Sequence, residues 1–269
     1  MPDEWSGGTI LPEGDGSHSA SFGPFLLKTA LQPIFGRDHH SKLQLRGFEG
    51  LLRLFRNEKA MSTAEFFARV GSGQRLAVDA LCRRLHLINA SIETADGALL
   101  FLNFDPSLYL DHRQIAGQIQ ALVDDVEKSQ FSPPRIVCEM LEKQIVRSSR
   151  ITFLTDGLRE AGFKIAVDDY GAESSDARRV NLLRPDIIKL DAQWVMRLMQ
   201  TQSGYGVLND AVERFRKDGA MIVMEGLEEG FHVELAWGAG ADLIQGFAVA
   251  RPQLAPTRIS ETFGNGRSS

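Results

Sequence analysis

The sequence predicts an α/β protein whose strands close into a TIM-barrel-like (β/α)8 fold. Strand-like apolar runs alternate along the chain with stretches in which apolar residues recur at spacings of three and four, as in amphipathic helices. The number of these units favours a closed barrel over an open doubly wound sheet, and 269 residues suit a barrel of typical length. No Gly-x-Gly-x-x-Gly follows an early strand, which argues against a dinucleotide-binding fold.

Each predicted element rests on one of the two patterns. One run places Phe163, Ile165 and Val167 at the period of two that a strand requires, whereas the clearest helix places Leu81 and Leu85 four residues apart. The predicted strands are residues 43–48, 98–102, 135–138, 163–167, 187–190, 221–224 and 242–244. The clearest predicted helices are residues 62–70, 75–90, 115–128 and 206–218.

The two ends of the chain lack these patterns. Residues 1–24 are rich in Gly, Ser, Pro and acidic residues, which predicts a flexible N-terminal tail, and residues 257–269 predict a C-terminal tail. No linker, charge block or low-complexity segment interrupts residues 25–256, so we expect them to form one barrel domain.

Composition excludes several classes of protein. A net charge of −5 offers no basic surface for nucleic acid. No apolar run is long enough to span a membrane, and no signal peptide pattern opens the chain. Cys82 and Cys138 lack metal-ligand spacing, which indicates reduced thiols. We therefore expect a soluble, cytoplasmic protein that binds neither nucleic acid nor membrane.

Polar side chains accompany the ends of all the predicted strands. In a parallel barrel these ends meet on one face, where active sites lie. Carboxylate and amide oxygens are ligands for Mg²⁺, Mn²⁺ or Ca²⁺, and the absence of His and Cys from the set argues against structural zinc. Any one of them alone is equally explained as a polar residue that starts a loop. The set comprises Glu49, Asn103, Glu139, Asp168, Asp169, Lys189, Glu225 and Gln245.

The adjacent carboxylates of Asp168 and Asp169 are the strongest single indication of a site. Two acids side by side repel each other, and a protein core gives no reason for them. One carboxylate can bridge two cations while its neighbour binds one. On its own this pair is better explained as a solvated turn, but the recurrence of polar residues at the other strand ends favours a metal site.

Eight motifs in order resemble the EAL family of bacterial cyclic di-GMP phosphodiesterases over about residues 26–254. Each motif is weak alone, but together they are specific. They are Gln32-Pro33-Ile34, Gly47 to Arg53 (the Glu-Ala-Leu signature followed by Leu-Arg), Asn103, Glu139-Met140-Leu141-Glu142, Asp168-Asp169-Tyr170-Gly171, Pro185 to Asp191, Glu225-Gly226-Leu227-Glu228, and Gln245-Gly246-Phe247 with Arg251-Pro252.

The resemblance implies a barrel whose first strand is antiparallel to the rest. It also implies hydrolysis of one phosphodiester bond of cyclic di-GMP to the linear dinucleotide pGpG. Two divalent cations, Mg²⁺ or Mn²⁺, would serve as cofactors, since a pair of ions stabilises both the attacking and the leaving oxygen. The implied metal ligands are Glu49, Asn103, Glu139, Asp168, Asp169 and Glu225, and the implied catalytic residues are Lys189, Glu225 and Glu49.

Other residues take supporting roles by the same resemblance. Lys189 would orient water or neutralise phosphate charge, with an ion pair to Asp168 or Asp169 as the alternative. Arg53 would bind a substrate phosphate, with a surface ion pair as the alternative. Gln32 and Gln245 would also bind substrate, and Glu142, unless it is merely an acid at a helix N-terminus, would support the loop after Asp169.

The sequence departs from the family pattern at three places. Gly50 replaces the signature Ala, Tyr170 replaces Phe, and Ala172-Glu173 replaces Thr-Gly in a loop that, in the family, shapes the second metal site and dimer contacts. The altered loop leaves two hypotheses open: a phosphodiesterase of reduced activity, or a cyclic di-GMP receptor that acts through protein contacts. An unrelated metal-dependent barrel hydrolase is a third, less favoured alternative. A homodimer and a regulatory protein partner also remain open.

Overall fold

The computed structural model describes residues 8–93, 97–140, 148–172, 177–257 and 259, with the backbone alone for residues 148 and 177–179. Twelve strands lie within these ranges, and eight of them close into a barrel. The strands are β1 Thr9–Pro12, β2 His18–Phe22, β3 Phe25–Arg37, β4 Leu43–Arg56, β5 Lys59–Met61, β6 Leu99–Phe104, β7 Ile136–Met140, β8 Lys164–Tyr170, β9 Ile187–Leu190, β10 Met221–Met224, β11 Leu243–Ile244 and β12 Gln253–Leu254.

The barrel runs in the order β3, β4, β6, β7, β8, β9, β10 and β11, and β11 pairs back with β3. Neighbouring strands from β4 to β11 are parallel. In contrast, β3 is antiparallel to both β4 and β11. The predicted α/β barrel with an antiparallel first strand is therefore confirmed, and all seven predicted strands belong to it.

Helices pack on the outside of the barrel, where the largest group of buried apolar side chains lies. The four clearest predicted helices are present, close to their predicted bounds. No helix in the described part of the chain has both the length and the apolarity that crossing a bilayer requires. The helices are α1 Thr63–Arg69, α2 Arg75–Ala90, α3 His112–Glu127, α4 Ser148–Glu160, α5 Ala177–Leu183, α6 Ala192–Met199, α7 Gln202–Lys217 and α8 Gly230–Gly238.

A separate layer of apolar side chains fills the inside of the barrel. Each barrel strand except β4 contributes one fully or nearly fully buried side chain to this layer, as expected for a barrel that has a packed core rather than a pore. The candidate functional site lies directly above this layer. The members of the layer are Ile34, Phe101, Val137, Ala166, Ile187, Val223 and Leu243.

The predicted N-terminal tail is wrong for residues 9–22, which form a β-hairpin. β1 pairs with β2, and β2 pairs antiparallel with β3. The hairpin buries Ala20 and Phe22, and the Phe22 ring packs edge-on against Phe66 of α1 at 6.2 Å. Apolar alternation did not reveal β2 because the chain also buries the polar residue Ser19 there.

The predicted C-terminal tail also begins too early. The Thr257 backbone N–H and hydroxyl both donate hydrogen bonds of 2.6 Å to the Glu93 carboxylate, and Ile259 is fully buried in the main core. These contacts attach the chain to the barrel after β12. The rest of the predicted tail, residues 260–269, lies outside the described residues.

Candidate active site

A polar layer lies directly above the apolar layer inside the barrel. Alternate residues of a strand point to the same side, so the residue two positions beyond each interior apolar side chain also points inward. On β8, Ala166 belongs to the apolar layer and Asp168 to the polar layer. The same spacing relates Phe101 to Asn103, Val137 to Glu139, Ile187 to Lys189, Val223 to Glu225, Leu243 to Gln245 and, on the antiparallel β3, Ile34 to Gln32.

Not all of these polar residues end their strands as the sequence pattern suggested. Glu225 and Gln245 do follow β10 and β11 directly, but Asn103 and Glu139 lie inside β6 and β7. Glu49 lies in the middle of β4, because β4 continues past it while pairing with β3 and β5. The polar layer is therefore held by paired strand backbone rather than by loops.

Lys189 lies at the centre of the polar layer, with its side chain 1% exposed. Its Nζ atom is 2.6 Å from Glu139, 3.0 Å from Glu225, 3.1 Å from Asp168 and 3.2 Å from Glu49. The ion pair with Asp168 that the sequence offered as an alternative is thus present, together with three others. We call these four carboxylates and that of Asp169 the acid cluster.

The acid cluster carries more negative charge than Lys189 can balance. Burial alone would lower the pKa of Lys189, but the surrounding carboxylates raise it well above its usual value, so the ammonium stays charged. Burial raises the pKa of Glu139 and of Glu225 well above the usual range, although Lys189 opposes the rise and neighbouring carboxylates add to it. One ammonium therefore leaves the cluster short of positive charge.

A β-bulge brings both members of the Asp pair to the site. Consecutive strand residues normally point to opposite faces. The register between β8 and β9 shifts at this point, so that Asp168 and Asp169 together oppose Lys189. Asp169 has a φ of 53°, in the left-handed region. As a result, ligand oxygens of Asp168, Asp169 and Glu225 lie within 4.8 Å of one another.

Tyr170 anchors the end of the bulge to the helices outside the barrel. Its ring packs edge-on against Trp194 of α6 and Phe215 of α7, with centroids 5.7 and 4.9 Å away. Its hydroxyl accepts a 3.2 Å hydrogen bond from Arg214 of α7. A Cβ atom on Gly171, whose φ is +102°, would lie 2.3 Å from the Trp194 ring. The substitution of Phe by Tyr thus adds a specific contact.

The residues of the polar layer fit divalent cations. Both Glu139 Oε2 and Gln245 Oε1 are buried acceptors without a hydrogen-bond partner among the described residues. Five hard carboxylates converge, and the raised pKa values of Glu139, Asp169 and Glu225 indicate missing positive charge. Asn103 is the register neighbour of Glu139 across β6 and β7, which adds an amide oxygen beside the cluster.

Two cavities are lined by consecutive parts of β4, the first by Glu49 and the second by residues 50–53. The first, of about 300 Å³, is lined by Glu49, Asp169 and Glu225 together with the predicted substrate residues Gln32 and Gln245. Gln245 also donates a 2.7 Å hydrogen bond from Nε2 to Glu49 Oε2. Partial burial and the charge of Asp168 raise the pKa of Asp169, at the rim of this cavity, to about 6.

The second cavity, of about 550 Å³, is lined by residues 50–53 of β4, by Asn103 and by side chains of α2. Arg53 lies here, and its Nη1 donates to the Leu52 carbonyl at 3.0 Å. The alternative of a surface ion pair finds no support, because Arg53 has no acidic partner within 4 Å among the described residues. The sequence pattern pointed to Arg53 but did not reveal His86, a buried residue of α2 that lines the same cavity.

Two predicted residues cannot be placed. Glu142 and Glu173 both lie outside the described residues. Ala172, the other residue of the altered loop, is exposed and donates a 3.2 Å backbone hydrogen bond to the Asp169 carbonyl. The backbone that follows the bulge is therefore tied to the bulge itself.

Several known proteins are similar to this chain in sequence and in fold. The family model described as EAL domain matches residues 26–252. The uncharacterized EAL-domain containing protein YkuI of Bacillus subtilis is 30% identical over 237 residues, which cover 86% of this chain and 54% of YkuI. The cyclic di-GMP phosphodiesterase PdeL of Escherichia coli is 28% identical over 130 residues, which cover 47% of this chain and 35% of PdeL. The chain thus spans about half the length of YkuI and about a third of that of PdeL.

Two solved structures have the same fold. The crystal structure of YkuI in complex with substrate c-di-GMP and calcium matches with a TM-score of 0.72 at 27% identity, over 88% of this chain and 58% of that chain. A manganese and cyclic di-GMP complex of Klebsiella pneumoniae BlrP1 matches with a TM-score of 0.74 at 22% identity, over 94% of this chain and 61% of that chain. The chain belongs to the EAL domain family.

Proposed function

We propose that this protein hydrolyses cyclic di-GMP to the linear dinucleotide pGpG with the help of two divalent cations, Mg²⁺ or Mn²⁺. The observation that carries the proposal is the acid cluster around Lys189, with its bulged Asp pair, at one end of a closed barrel. Two relatives support it, because PdeL is a cyclic di-GMP phosphodiesterase and YkuI binds c-di-GMP with calcium.

The cations would be held by the acid cluster and Asn103, which provide only oxygen ligands. When bound there, they supply the positive charge that phosphodiester hydrolysis needs at the attacking and leaving oxygens. The bulge at Asp169 supplies two carboxylates from one strand, and Gln245 orients Glu49 through its hydrogen bond. Paired strand backbone supports Asp168 and Asn103, which preorganises the site.

Lys189 contributes a fixed positive charge rather than a base. Its pKa is raised well above the usual value, so it does not accept a proton from water near neutral pH. It can instead donate a hydrogen bond to an attacking water or to a phosphate oxygen. Its near-complete burial keeps that charge at a constant position and strengthens it.

The substrate would lie across the two cavities. β4 contributes Glu49 to the first cavity and Arg53 to the second, so a phosphate near the acid cluster leaves room for nucleoside groups on both sides. Arg53 would bind a phosphate oxygen, which suits its lack of an acidic partner among the described residues. The receptor function remains the second candidate, because Ala172-Glu173 departs from the family loop.

A matched pair of variants tests the proposal. Glu49→Gln removes one cluster carboxylate with little change in shape, whereas Glu234→Gln removes a carboxylate that is 76% exposed. Hydrolysis is followed by chromatography of cyclic di-GMP in Mn²⁺. We expect Glu49→Gln to lose at least 100-fold in rate and Glu234→Gln to match the wild type. Equal rates in all three proteins would contradict the assignment of the site.

A further inference from the structure

A glycine in the family signature makes room for an unexpected imidazole. A Cβ atom on Gly50 would lie 2.9 Å from both Cβ and Cγ of His86, closer than side chains approach. His86 is 4% exposed and lines the second cavity, next to the strand residue that follows Glu49. The change from Ala to Gly therefore allows α2 to place an imidazole beside the candidate active site.

A chain of hydrogen bonds leads to this imidazole and favours one of its tautomers. The backbone of His18 in β2 donates to Asn89 Oδ1 at 2.8 Å and accepts from Asn89 Nδ2 at 2.9 Å, which orients the amide. The same Nδ2 donates to the Thr29 hydroxyl at 3.0 Å. The hydroxyl proton is then available to His86 Nδ1, 2.9 Å away. A neutral ring whose Nδ1 accepts this proton carries its own proton on Nε2.

The surroundings keep the ring neutral. Burial, together with the nearby positive charges of Arg53 and Arg83, lowers the pKa of His86 to about 3. The ring therefore has one N–H donor near neutral pH, and the second hairpin strand, which sequence analysis assigned to a tail, helps to orient it. Thr29 and Asn89 are themselves 1% and 0% exposed, so water does not compete for the chain.

The second cavity has apolar walls that suit a base, next to the phosphate that Arg53 would bind. Leu51, Phe67 and Leu108 contribute these walls, and the carboxylate of Asp79, which pairs with Arg83, lies in the same lining as His86. Guanine has the O6 acceptor beside N–H donors on one edge, which matches a donor and a carboxylate in one cavity. Adenine has an amino donor where guanine has O6.

We propose that His86 determines specificity for guanine, by donating its Nε2–H to O6 of one base of the cyclic dinucleotide in the second cavity. The inference rests on the proposed function, since it takes cyclic di-GMP as the ligand. It adds a residue of α2, set in place by β2 and β3, to the residues that contact substrate.

Calorimetric binding in Ca²⁺, in which we expect no turnover, tests the proposal with cyclic di-GMP and cyclic di-AMP. His86→Met keeps an apolar side chain of similar length but no donor, whereas His86→Gln keeps an N–H near the position of Nε2. We expect His86→Met to lose at least tenfold in affinity for cyclic di-GMP and little for cyclic di-AMP. His86→Gln should recover most of that loss, and Glu234→Gln serves as the control for wild-type binding.

Other outcomes separate the two proposals. If the wild type binds no cyclic di-GMP, both the proposed function and this inference fail. If the wild type binds but His86→Met binds equally well, only the inference fails. Equal losses for both dinucleotides place His86 against a phosphate and overturn its role in base specificity. Should His86→Met not fold, Thr29→Val, which removes the hydroxyl that favours this tautomer, must reduce cyclic di-GMP affinity more than cyclic di-AMP affinity.

Discussion

Asp169 combines a proposed ligand role with a backbone conformation that most residues avoid. Its φ of 53° lies in the left-handed region, which costs an ordinary L-residue about 1–2 kcal/mol, whereas Asn and Asp are tolerated there. The strain accompanies the bulge that turns both carboxylates toward the site. At this residue, therefore, the same side chain type suits both the backbone and the metal.

Two substitutions separate these roles. Asp169→Asn keeps a side chain that tolerates positive φ but removes the charge, so we expect weakened Mn²⁺ binding. Asp169→Ala should weaken Mn²⁺ binding as much, and its unfolding free energy should be about 1 kcal/mol lower than that of Asp169→Asn. Urea denaturation and Mn²⁺ titration measure the two effects. An alanine variant as stable as the asparagine variant would show that the bulge carries no strain.

The acid cluster also predicts how stability depends on pH without metal. The pKa of Asp169 rises from 3.8 to about 6, so the folded state binds this proton more tightly than the unfolded state does. Its contribution to stability is therefore full below pH 3.8 and is lost as the pH rises through about 6. Glu139 and Glu225, with raised pKa values, act in the same direction.

We expect this loss to appear in urea unfolding in EDTA, as a pH-dependent difference in unfolding free energy between the wild type and Asp169→Asn. The wild type should lose stability relative to the variant as the pH rises through about 6, because only the wild type ionises there. Mn²⁺ should restore the wild type at high pH. A difference that stays constant across this range, or that changes in the opposite direction, would refute the assigned pKa shift.

Lys189 is expected to stabilise the fold as well as to serve the reaction. Lys189→Met leaves four buried carboxylates without their cation, and breaking a buried ion pair costs about 3–5 kcal/mol. We expect a loss of this size in EDTA at pH 8, partly offset by Mn²⁺, and a hydrolysis rate at least ~100-fold lower. The control Lys217→Met, at a side chain 79% exposed, should change neither. A wild-type rate in Lys189→Met would reduce Lys189 to an ion-pair partner.

Among the helices and strands, the sequence predicted those in which buried apolar residues recur at a regular spacing. The seven central strands and four helices have such patterns, because one side faces the core. β2 was missed since it buries Ser19 and Ala20 and depends on pairing with β3. α8 is apolar on several sides, with Phe231 exposed and Val233 buried, so no single stripe identifies it. An element that depends on strand pairing, or that is buried on several sides, has a weaker periodic pattern in a single sequence.

The N-terminal hairpin provides a direct test at this scale. Phe22 is 3% exposed and Leu11 is 50% exposed, and both lie in the segment predicted to be a tail. We expect Phe22→Ala to lower the unfolding free energy by about 3–5 kcal/mol. Leu11→Ala should change it by less than about 0.5 kcal/mol. If thermal or urea unfolding shows no effect of Phe22→Ala, the hairpin does not pack as described.

For the whole molecule, the barrel topology explains why so much of the site could be predicted. Each barrel strand except β4 sends an apolar residue and, two positions away, a polar one into the same interior, so a local pattern carries three-dimensional information. The second cavity could not be predicted in this way. It depends on how α2 packs against β4, and His86 has no local signal except the Gly50 that accommodates it.

The acid cluster and its cations are proposed to hydrolyse cyclic di-GMP. The most direct measurement incubates the wild-type protein with cyclic di-GMP and identifies the products by chromatography and mass. We predict pGpG in Mn²⁺ or Mg²⁺, none in EDTA, recovery after Mn²⁺ is restored, and inhibition by Ca²⁺, which is larger than these ions. Tight binding of cyclic di-GMP with no linear product in either metal would contradict this proposal and identify the protein as a receptor.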